Sequence, residues 1–106
     1  MNLVAWLVFI AAALLEVGGD AVIRKGLHGA GAGMIALGFL VLGSYGIMVN
    51  MVKWDFSKLL GVYVAVFAIV SVLFGKYVFS ETIPWSTWLG LGIIVAGGAV
   101  IQFGSA

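Results

Sequence analysis

Apolar residues run along this chain in four long stretches separated by short polar connections. The stretches cover residues 3–23, 31–52, 58–79 and 85–104. Each is close to the roughly 20 apolar residues that a transmembrane helix needs. They do not show the alternation over about 10 residues that is typical of a membrane β-strand. The pattern therefore predicts an all-α protein with four transmembrane helices in a single membrane domain over residues 1–106.

Composition supports this prediction. Hydrophobic residues make up 64% of the 106 residues and charged residues only 8%, far from the composition of a soluble domain. Because no basic segment precedes residues 3–23, we interpret them as a retained helix and not as a signal peptide. We expect a multi-pass protein of a bacterial or archaeal cytoplasmic membrane. The formal net charge of +1 identifies no partner, and we expect no nucleic acid binding.

The connections contain residues that suit helix ends. Asp55 and Ser57 offer capping side chains to the third helix, and Ser80 or Thr82 offers one to the fourth. Pro84 lies where the start of a helix tolerates proline. Aromatic residues flank these connections, as they do at membrane surfaces: Trp54, Phe56, Trp85 and Trp88.

Basic residues hardly select an orientation in the membrane. With four spans, the 53–58 connection lies on one side and the other two connections lie on the opposite side. Lysines 53 and 58 mark the first side, and three basic residues mark the second. The positive-inside bias is therefore weak, so small effects set the orientation or the chain inserts in both directions.

The first helix carries the candidate site. Glu16 lies roughly 10 Å from the end of residues 3–23, inside the hydrocarbon, and Asp20 lies one turn nearer the surface. Their spacing of four places both carboxylates on one helical face. An intramembrane carboxylate costs several kcal/mol unless it is protonated, paired or hydrated, which makes it a functional candidate. A group that holds either a proton or a cation, but not both, is the simplest basis for exchange.

Structural roles are the alternative. Glu16 is then a buried acid bonded to another helix, although Lys76 is the only basic residue near a matching depth. Asp20 equally suits an ion pair with Arg24 at the i, i+4 spacing. Arg24 and Lys25 more simply set topology by extending their charged ends to the interface.

Aromatic residues of the second and third helices are further candidates. Tyr45 either lines a cavity or packs against a neighbour. Tyr63 and Phe67 share a helical face with Ser71 and Phe74, a stripe whose simplest role is core packing. Tyr63 is the exception, because its phenol can bond a membrane carboxylate and its ring can attract a cation. We therefore group Tyr45, Tyr63 and Phe67 with the two carboxylates as candidate proton and substrate residues.

The fourth helix has no ionisable residue, and its small residues suit contact between helices in lipid. The candidate dimer contacts are Gly90, Gly92, Ala96 and Gly97. Four helices enclose a transport path poorly, whereas two copies supply eight helices and two Glu16 residues. An antiparallel homodimer also reproduces the inverted symmetry of larger transporters.

Enzymatic chemistry has no visible support. The sequence shows no phosphate-binding loop, metal-ligand cluster or Ser/His/Asp set on its helices. It contains no Cys, which excludes thiol catalysis and thiolate metal sites. We expect a protein that is not an enzyme and that uses neither a cofactor nor a metal.

Two motifs carry a resemblance to a known family. They are Leu15-Glu16-Val17 followed by Arg24-Lys25-Gly26, and Tyr77-Val78-Phe79-Ser80-Glu81-Thr82-Ile83 before a Gly-rich last helix. In these motifs and in its whole length the chain resembles the small multidrug resistance family of the drug/metabolite transporter superfamily. The resemblance implies antiparallel inner-membrane dimers that exchange protons for cationic compounds. It also implies that Glu16 of both chains is the shared site, that Tyr63 lies near it, and that the last helix forms the dimer contact.

The chain departs from that family at two places. Asp20 stands where the family usually has Ser or Thr. The third helix reads Tyr63-Val64-Ala65-Val66-Phe67, without the Trp and the Gly-x-Gly hinge that the family has there. The third helix is in this respect similar to other drug/metabolite transporters, which indicates a divergent branch.

Together these features predict a proton-coupled exporter of cationic, including lipophilic, compounds, which works by alternating access in a homodimer. Its partners are the cationic substrate, protons and membrane lipid. Two alternatives stay open. One is a metabolite or lipid-linked carrier of the drug/metabolite transporter type, and the other is a small non-transporting membrane protein that stabilises a partner complex.

Overall fold

The computed structural model describes residues 3–104. Four α-helices occupy most of this range, and the described range contains no strand. Their bounds are α1, Leu3–Lys25; α2, Ala32–Val49; α3, Phe56–Tyr77; and α4, Trp85–Phe103. All four are long and apolar enough to cross a membrane. The prediction of an all-α protein with four spans is confirmed, and no helix end lies more than three residues from its predicted position.

The chain forms two compact units with a boundary between Val52 and Lys53. Each unit is an antiparallel helical hairpin, the first made by α1 and α2 and the second by α3 and α4. Short connections make antiparallel neighbours the expected arrangement within each hairpin.

A wide glycine turn joins α1 to α2. The Gly31 N–H donates a hydrogen bond to the Gly26 carbonyl at 3.2 Å, which closes a loop of five residues. The chain leaves the helical conformation at His28, and φ is positive at Gly29 (123°) and Gly31 (99°). Glycine adopts such angles without the steric penalty that a Cβ brings. The glycines of this connection therefore reverse the chain direction.

Close glycine contacts hold α1 against α2. A Cβ on Gly38 would collide with the Ile23 side chain and lie only 3.0 Å from the Gly19 carbonyl oxygen. A Cβ on Gly19 would lie 2.9 Å from Cγ of Leu42. Helices in lipid gain much of their association energy from such close backbone approach. The first hairpin is thus built around a glycine-to-glycine crossing.

The second hairpin packs through fewer glycine contacts. A Cβ on Gly98 would lie 2.8 Å from Cβ of Ala65, and one on Gly61 would lie 2.7 Å from Cδ1 of Ile101. Both contacts join the first half of α3 to the second half of α4. Tyr63 is buried here, and its ring lies 6.3 Å from the Phe67 ring.

α3 ends in a turn that folds back on its last residues. The Glu81 N–H donates to the Gly75 carbonyl at 2.9 Å, and the Glu81 carboxylate lies against Gly75, where a Cβ would collide with it. Ser80 has a φ of 54°, an unfavourable angle for a residue with a side chain. Gly75 therefore makes room for the returning chain, and α3 continues past it only to Tyr77.

The predicted side-chain caps are not formed. Asp55 occupies the N-cap position of α3, but its side chain makes no capping hydrogen bond, and its carbonyl accepts from the Leu59 N–H at 2.8 Å. At α4 the N-cap is Pro84, and neither Ser80 nor Thr82 holds that position. The prediction for α4 was wrong because the chain stays non-helical from Ser80 through Pro84, which separates those side chains from the first turn of α4.

Candidate functional site

Glu16 lies near the middle of α1. Because the helix runs on to Lys25, nine residues separate Glu16 from its end, about 14 Å along the axis and farther than the sequence predicted. Ala12, Ala13 and Val17 around it are buried, and Glu16 itself is half-buried. Glu16 is thus placed at mid-depth of a membrane-spanning helix.

Tyr45, on α2, is the aromatic candidate of the first hairpin. It interacts electrostatically with Glu16 across the first hairpin and is half-buried. Helical side chains tilt toward the N-terminus of their own helix, so in an antiparallel pair they lean toward each other. Glu16 lies about one turn before Gly19 on α1, and Tyr45 lies about two turns after Gly38 on α2. Because the two helices are antiparallel, both residues lie on the same side of the Gly19–Gly38 crossing along the hairpin. The glycine crossing therefore sets the register that places the carboxylate and the phenol within electrostatic range of each other.

The polar groups near Tyr45 on α2 are satisfied by their own helix. The Ser44 hydroxyl donates to the Leu40 carbonyl at 3.0 Å, and the Asn50 amide nitrogen donates to the Gly46 carbonyl at 2.8 Å. Side chains bonded in this way contribute little to a site on another helix. Ser44 and Asn50 therefore offer little hydrogen-bonding capacity to a ligand in the first hairpin.

Asp20, Arg24 and Lys25 lie toward the end of α1. All three side chains are exposed. Asp20 lies one turn from Glu16, as its spacing requires. Its participation in the site and its pairing with Arg24 both stay predictions.

Two aromatic candidates, Tyr63 and Phe67, lie in the second hairpin. Tyr63 is 3% exposed and stacks at an angle of 33° on Phe67. Phe67 in turn lines a groove between α3 and α4. A bond from Tyr63 to a membrane carboxylate stays a prediction, while the packing role proposed for this stripe agrees with the ring contact.

The groove between α3 and α4 has a volume of about 370 Å³. Its lining is Val64, Phe67, Ala68, Ser71, Val72, Thr87, Gly90, Leu91 and Ile94. The Ser71 hydroxyl donates to the Ala68 carbonyl at 2.9 Å, so its donor is already used within α3. The groove is therefore an apolar surface with little hydrogen-bonding capacity.

Sequence reasoning missed a cluster of a lysine and two rings at one end of this groove. Lys76 Nζ lies 5.4 Å from the centre of the Tyr77 ring and 5.6 Å from that of Trp88. A lysine in the last turn of an apolar helix, with aromatic residues nearby, was the available signal. At the opposite end of the second hairpin, Lys58 lies 4.9 Å from the Trp54 ring.

The candidate dimer contacts on α4 divide into two groups. Gly90 lines the groove, whereas Gly92, Ala96 and Gly97 are exposed. A Cβ on any of these three glycines would meet open space. Gly98, one residue further, packs instead against α3. The homodimer stays a prediction. Its candidate contact on α4 is the exposed surface of Gly92, Ala96 and Gly97.

The fold and this site define a class: a multi-pass integral membrane protein of four spans, with a carboxylate at mid-depth of the first. The chain is 34% identical over 105 residues to the UPF0060 membrane protein YfjF of Bacillus subtilis (strain 168), and the match covers 97% of this chain and 96% of that protein. The chain therefore belongs to the UPF0060 family of membrane proteins. No protein-family model matches it, and no solved structure matches it.

Proposed function

We propose that this protein exports cationic compounds in exchange for protons, as a member of the drug/metabolite transporter superfamily that is similar to the small multidrug resistance proteins. Glu16 is the group that binds the proton or the cation. The observation that carries the proposal is the position of this carboxylate, half-buried at mid-depth of α1 and within electrostatic range of Tyr45. On this proposal the chain moves its substrate without altering it chemically.

The physical reason is the cost of a bare charge in the membrane. A carboxylate at this depth is stable when it is protonated or when a cation accompanies it, and costs several kcal/mol otherwise. Proton and substrate therefore displace each other at one group. Tyr45 supplies a hydroxyl and an aromatic face beside it, and a ring of this kind attracts organic cations by about 0.5–2 kcal/mol.

The central experiment measures coupling in proteoliposomes. A pH-sensitive dye inside the vesicles reports proton movement when a quaternary ammonium, guanidinium-type or polyamine compound is added outside. We expect proton movement with the unmodified protein, loss of it in Glu16→Gln, and partial recovery in Glu16→Asp.

Asp55→Asn is the matched control, because it removes an exposed carboxylate outside the spans whose side chain makes no capping bond. This variant should couple normally. Unchanged coupling in Glu16→Gln would contradict the proposal and favour a non-transporting role.

The proposal includes an antiparallel homodimer, for which the chain offers a clean test because it contains no Cys. Gly97→Cys places a thiol on the exposed surface of α4, and Leu40→Cys places one on an exposed position of α2. We expect oxidation to link two copies through residue 97 and not through residue 40. A single Cys at Ser57, in the first turn of α3, should react with an impermeant thiol reagent from both sides of the membrane if the copies are inserted in opposite directions.

A further inference from the structure

The groove of the second hairpin has the length of one leaflet. From Val72 to Val64 it follows α3 for eight residues, about 12 Å. One leaflet of the hydrocarbon core is about 15 Å thick, half of the full core. Val72 lies one helical turn from Lys76, which is in the last turn of α3. The groove therefore begins next to the end of the span and runs inward through most of a leaflet.

The lining of the groove suits a hydrocarbon chain. Its side chains are apolar apart from Ser71 and Thr87, and the Ser71 donor is used by the Ala68 carbonyl. A polar ligand would lose its hydration here with little in return. The volume of about 370 Å³ lies within the range of roughly 300–1,000 Å³ that is common for ligand sites.

The outer end of the groove suits an anionic headgroup. The exposed Lys76 ammonium lies beside the rings of Tyr77 and Trp88, and Trp88 follows Thr87 of the groove lining. Basic residues with interfacial aromatic rings are the usual surroundings of anionic lipid headgroups. Glu81 also lies at this end, with its carboxylate against Gly75, and its charge should weaken the attraction without removing it.

We propose that the groove between α3 and α4 holds one acyl chain of an anionic phospholipid, whose phosphate pairs with Lys76. The acyl chain fills the apolar channel, and the headgroup stays at the membrane surface. This lipid site uses no residue of the Glu16–Tyr45 pair and does not depend on the transport proposal.

Quenching of Trp88 fluorescence by lipids with brominated acyl chains tests the site. Trp6, Trp54 and Trp85 are replaced by Phe, so that Trp88 alone reports. The protein is placed in phosphatidylcholine vesicles with increasing fractions of brominated phosphatidylglycerol or brominated phosphatidylcholine. We expect half-quenching at an about fivefold lower fraction of the anionic lipid, the effect of one favourable charge near the surface.

Matched variants separate the two parts of the site. Lys76→Gln should make the two lipids equivalent, whereas Lys58→Gln, at the other end of the hairpin, should keep the preference. Ala68→Leu fills the groove and should raise the fraction of either lipid needed, whereas Ala99→Leu, on an exposed position of α4, should not.

Three outcomes would overturn the proposal. The first is equal quenching by both lipids in the protein with Lys76 intact. The second is equal behaviour of Ala68→Leu and Ala99→Leu. The third is a change of oligomeric state in Ala68→Leu, measured by cross-linking, without a change in the fraction of either lipid needed for half-quenching, which would assign the groove to a second copy of the chain. None of these measurements involves transport, so they leave the Glu16 proposal untouched.

Discussion

The two hairpins of this protein pack in different ways. α1 and α2 approach until backbone meets backbone at Gly19 and Gly38. α3 and α4 meet at Gly98 and Ala65 and then leave an apolar groove toward the other end of the hairpin. Close approach brings polar groups of two helices together, while a groove offers surface to an alkyl chain. Glu16 and Tyr45 accordingly lie in one hairpin and the apolar groove in the other.

Enlarging the glycine crossing should give the largest effect. A Cβ on Gly38 has no room beside Ile23 and the Gly19 carbonyl, so Gly38→Ala should destabilise the protein by about 1–3 kcal/mol. Gly43→Ala is the control, since its Cβ meets open space, and helix propensity favours it by up to about 1 kcal/mol. Reversible unfolding in mixed detergent measures both. Equal stability of the two variants would show that the close approach of the first hairpin is unimportant.

The partner of Glu16 is the next point to test. Tyr45→Phe removes the hydroxyl that we propose assists Glu16, and it should lower coupled transport about tenfold if that hydroxyl bonds the carboxylate. Tyr63→Phe, in the second hairpin, should have a smaller effect. Proteoliposome rates compare them. A larger loss in Tyr63→Phe would move the principal aromatic partner to α3, as the sequence-based prediction for Tyr63 proposed.

The connection between α3 and α4 contains a residue with an unfavourable backbone angle. Ser80 adopts a φ of 54°, which is unfavourable for a residue with a Cβ, so Ser80→Gly should stabilise the protein by about 1 kcal/mol. Ser86→Gly, in the first turn of α4, should destabilise it by a similar amount, because glycine is a poor helix former. The same unfolding assay measures both signs. Destabilisation in Ser80→Gly would mean that the serine side chain has a role of its own at this turn.

The smallest effect concerns the second carboxylate of α1. Asp20 lies one turn nearer the membrane surface than Glu16, where its charge is more easily hydrated, so Asp20→Asn should change the coupled flux of a singly charged substrate only about twofold. A loss comparable to that of Glu16→Gln would place Asp20 inside the site. Flux of a doubly charged compound, measured in the same vesicles, would then show whether Asp20 favours substrates with more positive charge.

Most of the fold follows from the sequence because lipid leaves little choice. A chain in the hydrocarbon must satisfy its backbone internally, so a stretch of about 20 apolar residues becomes a helix almost regardless of its other residues. The short connections then make each hairpin antiparallel. The ends were harder to predict: α2 stops at Val49 although the apolar stretch continues to Val52, and α4 starts without a side-chain cap.

The candidate site could be predicted only in part. Glu16 stands out because a carboxylate is rare in a span, and its depth follows from counting residues. The position of Glu16 relative to Tyr45 depends on where α1 and α2 cross, at Gly19 and Gly38. The sequence does not distinguish these glycines from others, since Gly43 and Gly46, also on α2, meet open space. Lys76 was seen as a basic residue near the membrane, but its two aromatic neighbours come from different helices.

The turn between α1 and α2 depends on two residues that have no chiral Cα, Gly29 and Gly31. Gly29 and Gly31 adopt φ angles that belong to mirror-image amino acids. An L-alanine at either position would oppose the turn even though open space surrounds it, whereas a D-alanine would favour the same angles. The pairing of α1 with α2 thus depends on two residues that have no chiral Cα and lie outside the contact between the helices.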